Sequence, residues 1–222
     1  MKSPASLIGN LVRYTIFIAM VLITTWLKDQ AFEQGKLSGI FLVLCLSAAA
    51  LSLLFFIRQF NLEQKYFSDR LNSRPKVLAN AFGFLFLLVL IIGGLNLVIG
   101  WLQVAGSIPK FETTVTKFDL KDGGFWLNIL IVGIILPILQ QFIATGFFFN
   151  YFFRRATPIN TVLGMLISGL IFAALQFQPF FMPAFLQLSL GWLFALSFLY
   201  TRRFEVPVCL NIFSAILMII LA

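Results

Sequence analysis

The sequence contains no histidine, and only 11% of its 222 residues are charged. Without histidine the chain cannot build a His-ligated metal site, an imidazole-activated nucleophile or an imidazole general base. It has two cysteines, Cys45 and Cys209, which are too few for a zinc site of their own. Both stand in apolar stretches and give no sign of a secreted disulfide framework, so we expect two buried thiols.

The hydrophobic content is 60% and includes 28 phenylalanines. Soluble domains carry about 25% charged residues, so this composition is typical of a membrane protein. An excess of 16 Lys and Arg over 8 Asp and Glu would suggest nucleic-acid binding in a soluble domain. Here the basic residues stand at the ends of apolar runs, which indicates membrane topology and no nucleic-acid partner.

Apolar runs long enough to cross a bilayer as a helix, about 20 residues each, occur seven times. The expected spans are Leu7–Leu27, Leu37–Ile57, Val77–Gln103, Phe125–Phe153, Asn160–Phe177, Phe180–Tyr200 and Val206–Ala222. We therefore predict an all-α fold, a polytopic membrane helix bundle of about seven transmembrane helices. The alternative is a re-entrant segment over 178–183, which contains two prolines and would lower this count.

Basic residues are divided unevenly between the two sides of these spans, with eleven on one side and five on the other. The positive-inside rule places the larger set, and with it the amino terminus, in the cytoplasm. The segment from Arg58 to Lys76 is expected to be a cytoplasmic loop, either solvated or lying along anionic lipid headgroups. The protein is expected in a cell membrane, surrounded by the lipid bilayer, and the sequence does not indicate its oligomeric state.

Polar residues at membrane depth are costly, so they mark either a functional site or hydrogen bonds between helices. They concentrate in the last four predicted spans. Gln141 and Thr145 are four residues apart and should share one helix face, beside a bend at Pro137. The residues concerned are Gln140, Gln141, Thr145, Gln176, Gln187, Asn211 and Ser214.

Their order resembles that of the CPBP family of intramembrane proteases, which includes CAAX proteases and bacteriocin-processing enzymes. The family motifs are Glu-Glu-x-x-x-Arg, Phe-x-x-x-His and His-x-x-x-Asn on successive helices. The resemblance covers the chain from Phe125 on, so we expect a four-helix core over 125–222 and three further helices within 1–124. The matching positions here are Gln140, Gln141 and Thr145, then Phe172 and Gln176, then Asn211 and Ala215.

The resemblance implies a site where a glutamate activates water with the help of histidines, with or without a metal. Here every such position holds an amide, a hydroxyl or a methyl group, which supplies neither a general base nor a good ligand for a transition metal. We therefore expect no catalytic residues, no metal and no cofactor. The hydrogen-bonding shape is expected to persist as a binding site formed by Gln140, Gln141, Gln176, Gln187, Asn211 and Ser214.

These features favour a non-catalytic membrane protein, or pseudoprotease, that binds a membrane protein or peptide partner. By the family resemblance it would serve bacteriocin self-immunity or regulate an envelope enzyme or sensor in a bacterial cytoplasmic membrane. One alternative is an active CAAX-type intramembrane endopeptidase that processes a peptide or prenylated substrate. Another is that the amides only satisfy one another between helices, which requires no ligand. A small transporter is disfavoured because no inverted repeat is found.

Overall fold

The structure, a computed structural model, describes residues 6–32, 38–64, 81–108, 124–153, 157–178 and 180–221. Within these ranges the chain is helical and forms no strand. In the described ranges seven helices follow one another, and the fourth consists of five consecutive α and π segments. They are α1 (Leu7–Phe32), α2 (Ser38–Gln64), α3 (Phe82–Val104), α4 (Gly124–Phe152), α5 (Pro158–Leu175), α6 (Phe181–Thr201) and α7 (Glu205–Leu221).

The helices have the length and composition of membrane spans. The first six are long and apolar enough to cross a membrane, and α7 is a shorter apolar helix of 17 residues, about 25 Å in length. The predicted all-α polytopic bundle is thereby confirmed. The cytoplasmic position of the amino terminus stays a prediction.

Helix α4 occupies the centre of the bundle. In its apolar stretch 67% of the residues are buried, against 22% to 28% in α1, α2, α3 and α5. Glycines let its neighbours approach closely. A Cβ on Gly133 would lie 3.1 Å from Ile216 of α7, and one on Gly146 would lie 3.2 Å from Phe60 of α2. The small residues of α4 therefore allow helices to pack against it on several sides.

The backbone of α4 departs twice from α-helical geometry. The segments Ile129–Ile135 and Phe142–Phe147 are π-helical. The first ends just before Pro137, which has no N–H and cannot complete the hydrogen-bond ladder. A distortion of α4 near Pro137 was expected from the sequence, whereas the second π segment was not.

The second π segment is tied to helices on two sides of α4. The Tyr14 hydroxyl of α1 donates a hydrogen bond of 3.0 Å to the carbonyl oxygen of Ile143. The Ser168 hydroxyl of α5 donates one of 2.7 Å to the carbonyl oxygen of Ala144. Within a bilayer backbone groups need partners inside the protein, so these two bonds stabilise the non-standard geometry.

Helices α5 and α6 form a closely packed hairpin. A Cβ on Gly191 of α6 would lie 2.9 Å from the Cα of Gly169 on α5, so the two backbones nearly touch. Helix α5 ends at Leu175, and α6 begins at Phe181 and continues for 21 residues. Residues 176 and 177 form a turn, and residues 181–183 already belong to α6. The re-entrant alternative over 178–183 stays a prediction.

The expectation of a loop beginning at Arg58 is wrong. Helix α2 continues past this residue to Gln64. Its last turn is held by Glu63, which is buried and accepts hydrogen bonds from the Tyr151 hydroxyl of α4 and from Nε2 of Gln59. The basic residue indicated the end of a span, but packing against α4 extends the helix. The remainder of the expected loop lies outside the described residues.

The two cysteines differ in burial. Cys45 of α2 is buried, as predicted, with its Sγ 3.8 Å from the carbonyl oxygen of Thr24. Cys209 of α7 is exposed, so the prediction of two buried thiols is wrong for it. Asn211, two residues further on, is buried. Two residues rotate a helix position by about 200°, so the two side chains lie on nearly opposite faces of α7.

Candidate functional site

A cavity lies between α4, α5, α6 and α7. Its water-accessible volume is about 50 Å³. It gathers side chains from all four helices of the region in which the sequence predicted a binding site. The polar lining residues are Gln140, Gln176, Gln187, Asn211 and Ser214. The apolar wall includes Val132, Leu136, Phe172, Leu190, Ala215 and Met218.

Two hydrogen bonds join the motif positions around this cavity. Nε2 of Gln176 donates to Oε1 of Gln140 at 3.2 Å, which links α5 to α4. Nδ2 of Asn211 donates to the carbonyl oxygen of Pro137 at 3.1 Å, which links α7 to α4. Gln140, Gln176 and Asn211, which come from three different helices, therefore lie around one cavity.

Gln187 of α6 lines the same cavity but differs from the other amides in its hydrogen bonding. Its side chain is 6% exposed and makes no hydrogen bond with any residue that the structure describes. A buried carboxamide without a partner is costly, because transfer from water removes its hydrogen bonds. Its amide group faces the cavity, so the cavity is where it can find a partner.

Gln141 and Thr145 do not line the cavity. Both are buried, and the Thr145 hydroxyl lies 2.7 Å from the carbonyl oxygen and 3.0 Å from Oε1 of Gln141. Nε2 of Gln141 has no hydrogen-bond partner within the described ranges. Successive residues of a helix point about 100° apart, so Gln140 lines the cavity while Gln141 points elsewhere. The predicted shared face of Gln141 and Thr145 is confirmed.

Asn96 of α3 does not line the cavity but holds the lining residue Ser214, and the sequence did not single it out. It is fully buried, and its Nδ2 donates to the hydroxyl oxygen of Ser214 at 2.9 Å. The Ser214 hydroxyl can donate in return to Oδ1 of Asn96 at 3.2 Å. The signal was a single asparagine in the middle of an apolar span, which the motif order gave no reason to select.

A carboxyl group is buried elsewhere in the bundle. Glu63 of α2 is 3% exposed and lies against Tyr151 of α4, and it does not line the cavity. Aromatic rings surround this contact, since Tyr151 stacks on Phe147 at 5.9 Å and meets Tyr14 edge-on at 6.5 Å. We call Glu63, Gln59 and Tyr151 the carboxyl cluster.

The chemistry of the cavity follows from its donor set. Its polar lining consists of four carboxamides and one hydroxyl, and none of the lining residues is ionisable. Carboxamides do not accept a proton as a base, and amide and hydroxyl oxygens do not fit a transition-metal site. Among the described residues no group of three His, Cys, Asp or Glu side chains is placed to hold a metal ion.

Fold and cavity together define a multi-pass helical membrane protein with a polar cavity among its carboxyl-terminal helices. Residues 122–217 match the family model described as type II CAAX prenyl endopeptidase Rce1-like. This segment is therefore a domain of the CPBP family, and the resemblance found in the sequence is confirmed for it. No curated protein and no solved structure matches the chain. The division of the chain at residue 124 stays a prediction.

Proposed function

We propose that this protein is a non-catalytic CAAX-protease-like membrane protein that binds another membrane protein or peptide at the cavity lined by Gln140, Gln176, Gln187 and Asn211, which we call the amide cavity. The observation that carries the proposal is the uncharged lining at the family's motif positions, Gln140, Gln176 and Asn211. Peptide hydrolysis requires a group that takes a proton from water or from a nucleophile. The side chains at these positions retain hydrogen bonding but offer no base.

Binding is favoured over simple interhelical contact by what the amides leave unused. Amides that served only to hold helices together would be expected to pair with one another and to leave no cavity between them. Gln176 and Gln140 do pair, but Gln187 has no partner among the described residues, and the cavity has volume beside it. Space next to unused hydrogen-bonding groups is typical of a ligand site.

The biological role that we propose is control of a membrane partner, either self-immunity against a bacteriocin or regulation of an envelope enzyme or sensor. The proposed location is a bacterial cytoplasmic membrane. The support is the membership of residues 122–217 in a peptidase family, combined with motif positions that lack the family's charged side chains. A binding site without hydrolysis suits a protein that binds a partner without cleaving it.

The competing function is an active intramembrane endopeptidase, which is favoured by the family match itself. It would require an acid or base outside the motif positions. Glu63 is a buried carboxyl group, but it belongs to the carboxyl cluster and does not line the cavity. This function therefore needs a mechanism that differs from the one implied by the family.

Site-specific photocrosslinking in native membranes tests the proposal. A benzophenone amino acid replaces Met218, which lines the cavity, or Leu170, which is 57% exposed on α5 and serves as the matched lipid-facing control. We expect position 218 to crosslink a discrete membrane protein or peptide and position 170 to give no such product.

The same crosslink is then measured in a variant that carries Gln140→Leu, Gln176→Leu and Gln187→Leu. We expect the product to disappear while the variant stays folded, as checked by its thermal unfolding in detergent. An undiminished product in this variant would show that the amides do not bind the partner, and the interpretation as interhelical contacts would then be preferred.

A further inference from the structure

The cavity wall offers hydrogen-bond donors and acceptors that no described residue uses. Gln187 contributes a whole carboxamide. Gln140 keeps its Nε2 donor after accepting from Gln176, while Gln176 and Asn211 keep their side-chain oxygens. Each carboxamide holds one donor group and one acceptor. If the nitrogen and oxygen of an amide were exchanged by a flip, the amide would still have one donor or acceptor unused. The site therefore suits a ligand that both donates and accepts.

The cavity is also small. A buried water needs about 10–15 Å³ of such volume, so about 50 Å³ accommodates roughly three to five waters. A carboxamide group with its methylene carbon has about as many non-hydrogen atoms as these waters. A helix backbone is far larger, with a diameter of about 10 Å including side chains. The cavity therefore fits the end of one side chain rather than a length of main chain.

The absence of charge in the cavity lining also restricts the kinds of ligand that can bind. None of the lining residues is ionisable, so a carboxylate or an ammonium group would enter the cavity without an opposite charge. An uncompensated ion in a low-dielectric interior costs several kcal/mol. A neutral carboxamide avoids this cost and can form paired hydrogen bonds with Gln187. Asn and Gln side chains already hold membrane helices together in this way.

We infer that the cavity receives a neutral carboxamide, the Asn or Gln side chain of a partner's transmembrane helix. This inference rests on the proposed function, because it names the group that the binding site recognises. The apolar residues around the cavity, Leu136, Phe172 and Leu190 among them, would contact the side chain's methylene groups. Gln187 is the main recognition residue, because it alone offers both halves of its amide.

Acetamide and acetate form a matched pair of probes, since they have nearly the same shape and differ in charge. The assay measures the labelling rate of a thiol placed in the cavity by Ala215→Cys, in a background with Cys45→Ala and Cys209→Ala. We expect acetamide at twice its Kd to slow labelling about threefold, because it then occupies two thirds of the sites. Acetate should leave the rate unchanged.

Two controls test whether the protection arises in the cavity and whether it depends on Gln187. In a protein with Cys45→Ala alone, the native Cys209 is exposed, does not line the cavity and should be labelled at the same rate with either probe. Adding Gln187→Leu to the Ala215→Cys protein should abolish the protection by acetamide. Equal protection by acetate, or protection that survives Gln187→Leu, would overturn the inference. A partner crosslinked at position 218 would leave the proposed function standing in either case.

The source of the carboxamide is tested with transmembrane peptides in lipid vesicles. One peptide is an all-leucine helix with basic ends, and the other carries a single asparagine at its centre. With the photocrosslinker at position 218, we expect several times more product from the asparagine peptide. Equal yields from the two peptides would overturn the assignment to a membrane helix, even if acetamide protects the cavity thiol.

Discussion

Two of the regions in which the bundle buries polar groups differ in charge and in use. The carboxyl cluster between α2 and α4 holds Glu63, whose side chain accepts hydrogen bonds from Tyr151 and Gln59 and is enclosed by aromatic rings. The amide cavity between α4 and α7 is neutral, and Gln187 faces it without a partner among the described residues. In the carboxyl cluster Oε1 of Glu63 accepts two hydrogen bonds from the protein, whereas the Gln187 amide at the cavity accepts and donates none within the described residues.

This difference shows that buried polarity alone does not identify a binding site. The carboxyl cluster contains the more reactive side chain, yet its contacts are those of a structural link between helices. The amide cavity contains less reactive groups but has space and unused hydrogen-bonding capacity. Substitutions in the two regions should therefore differ in what they do to stability and to binding.

The largest effect on stability is expected in the carboxyl cluster. Glu63→Leu removes the acceptor of two hydrogen bonds and leaves the buried Tyr151 hydroxyl and the half-buried Gln59 amide without it. We expect a loss of about 3 kcal/mol in the free energy of unfolding, at about 1–3 kcal/mol for each unsatisfied group. Denaturant titration in detergent measures it. Glu63→Gln keeps an acceptor and should cost less, and equal stability of both variants and the parent would contradict a structural role.

A second substitution alters the walls of the amide cavity without touching its amides. Gly191→Ala places a methyl group against Gly169, one turn after Gln187 on α6. We expect a loss of about 2 kcal/mol from overpacking, together with weaker protection of the cavity thiol by acetamide. Gly94→Ala on α3 is the matched control, since a Cβ there would meet nothing within 4 Å. Equal effects of both substitutions would argue against the close approach of α5 and α6.

A smaller effect is expected where α3 contacts the cavity wall. Asn96→Leu and Ser214→Ala each remove one side of the hydrogen bond between α3 and α7. In a double-mutant cycle we expect a coupling energy of about 0.6 kcal/mol, the average for such bonds in membrane proteins. Unfolding of the two single variants and the double variant supplies this number. Strictly additive losses would mean that the two side chains do not interact.

The smallest effect on stability is expected from Gln187→Leu, the substitution that should matter most for binding. Gln187 has no hydrogen bond to lose within the described residues, and leucine removes the cost of its unpartnered amide, so the free energy of unfolding should stay equal or rise. Binding of acetamide should nevertheless be lost. A strongly destabilised variant would show that Gln187, like Glu63, stabilises the bundle. The two regions would then not differ in the use of their polar groups.

Much of the fold follows from the sequence, because helices in a bilayer need apolar runs of a fixed length and charged residues interrupt those runs. Helix α2 is the exception. The charge of Arg58 predicts the end of its span, but Glu63, about one and a half turns further on, is buried against Tyr151. That partner comes from α4, nearly 90 residues away, and no local pattern identifies it.

Part of the candidate site could also be predicted from the sequence. The motif order selected Gln140, Gln176 and Asn211, and the structure has all three on the wall of one cavity. Their role in binding stays a prediction. The motif order did not separate Gln140 from Gln141, since that depends on the rotation of α4, whose π segments change the helical phase. It also did not select Asn96, which lies outside the motifs and contacts the lining residue Ser214 only through the packing of α3.

The most direct test of a binding site without hydrolysis is the fate of a peptide offered to the purified protein. The protein in lipid vesicles is incubated with a farnesylated CAAX peptide, and mass spectrometry follows the peptide over time. We predict that it stays intact, with no hydrolysis beyond that in protein-free vesicles. Cleavage by the parent protein that Gln140→Leu abolishes would contradict this and would show that the amide cavity is an active site.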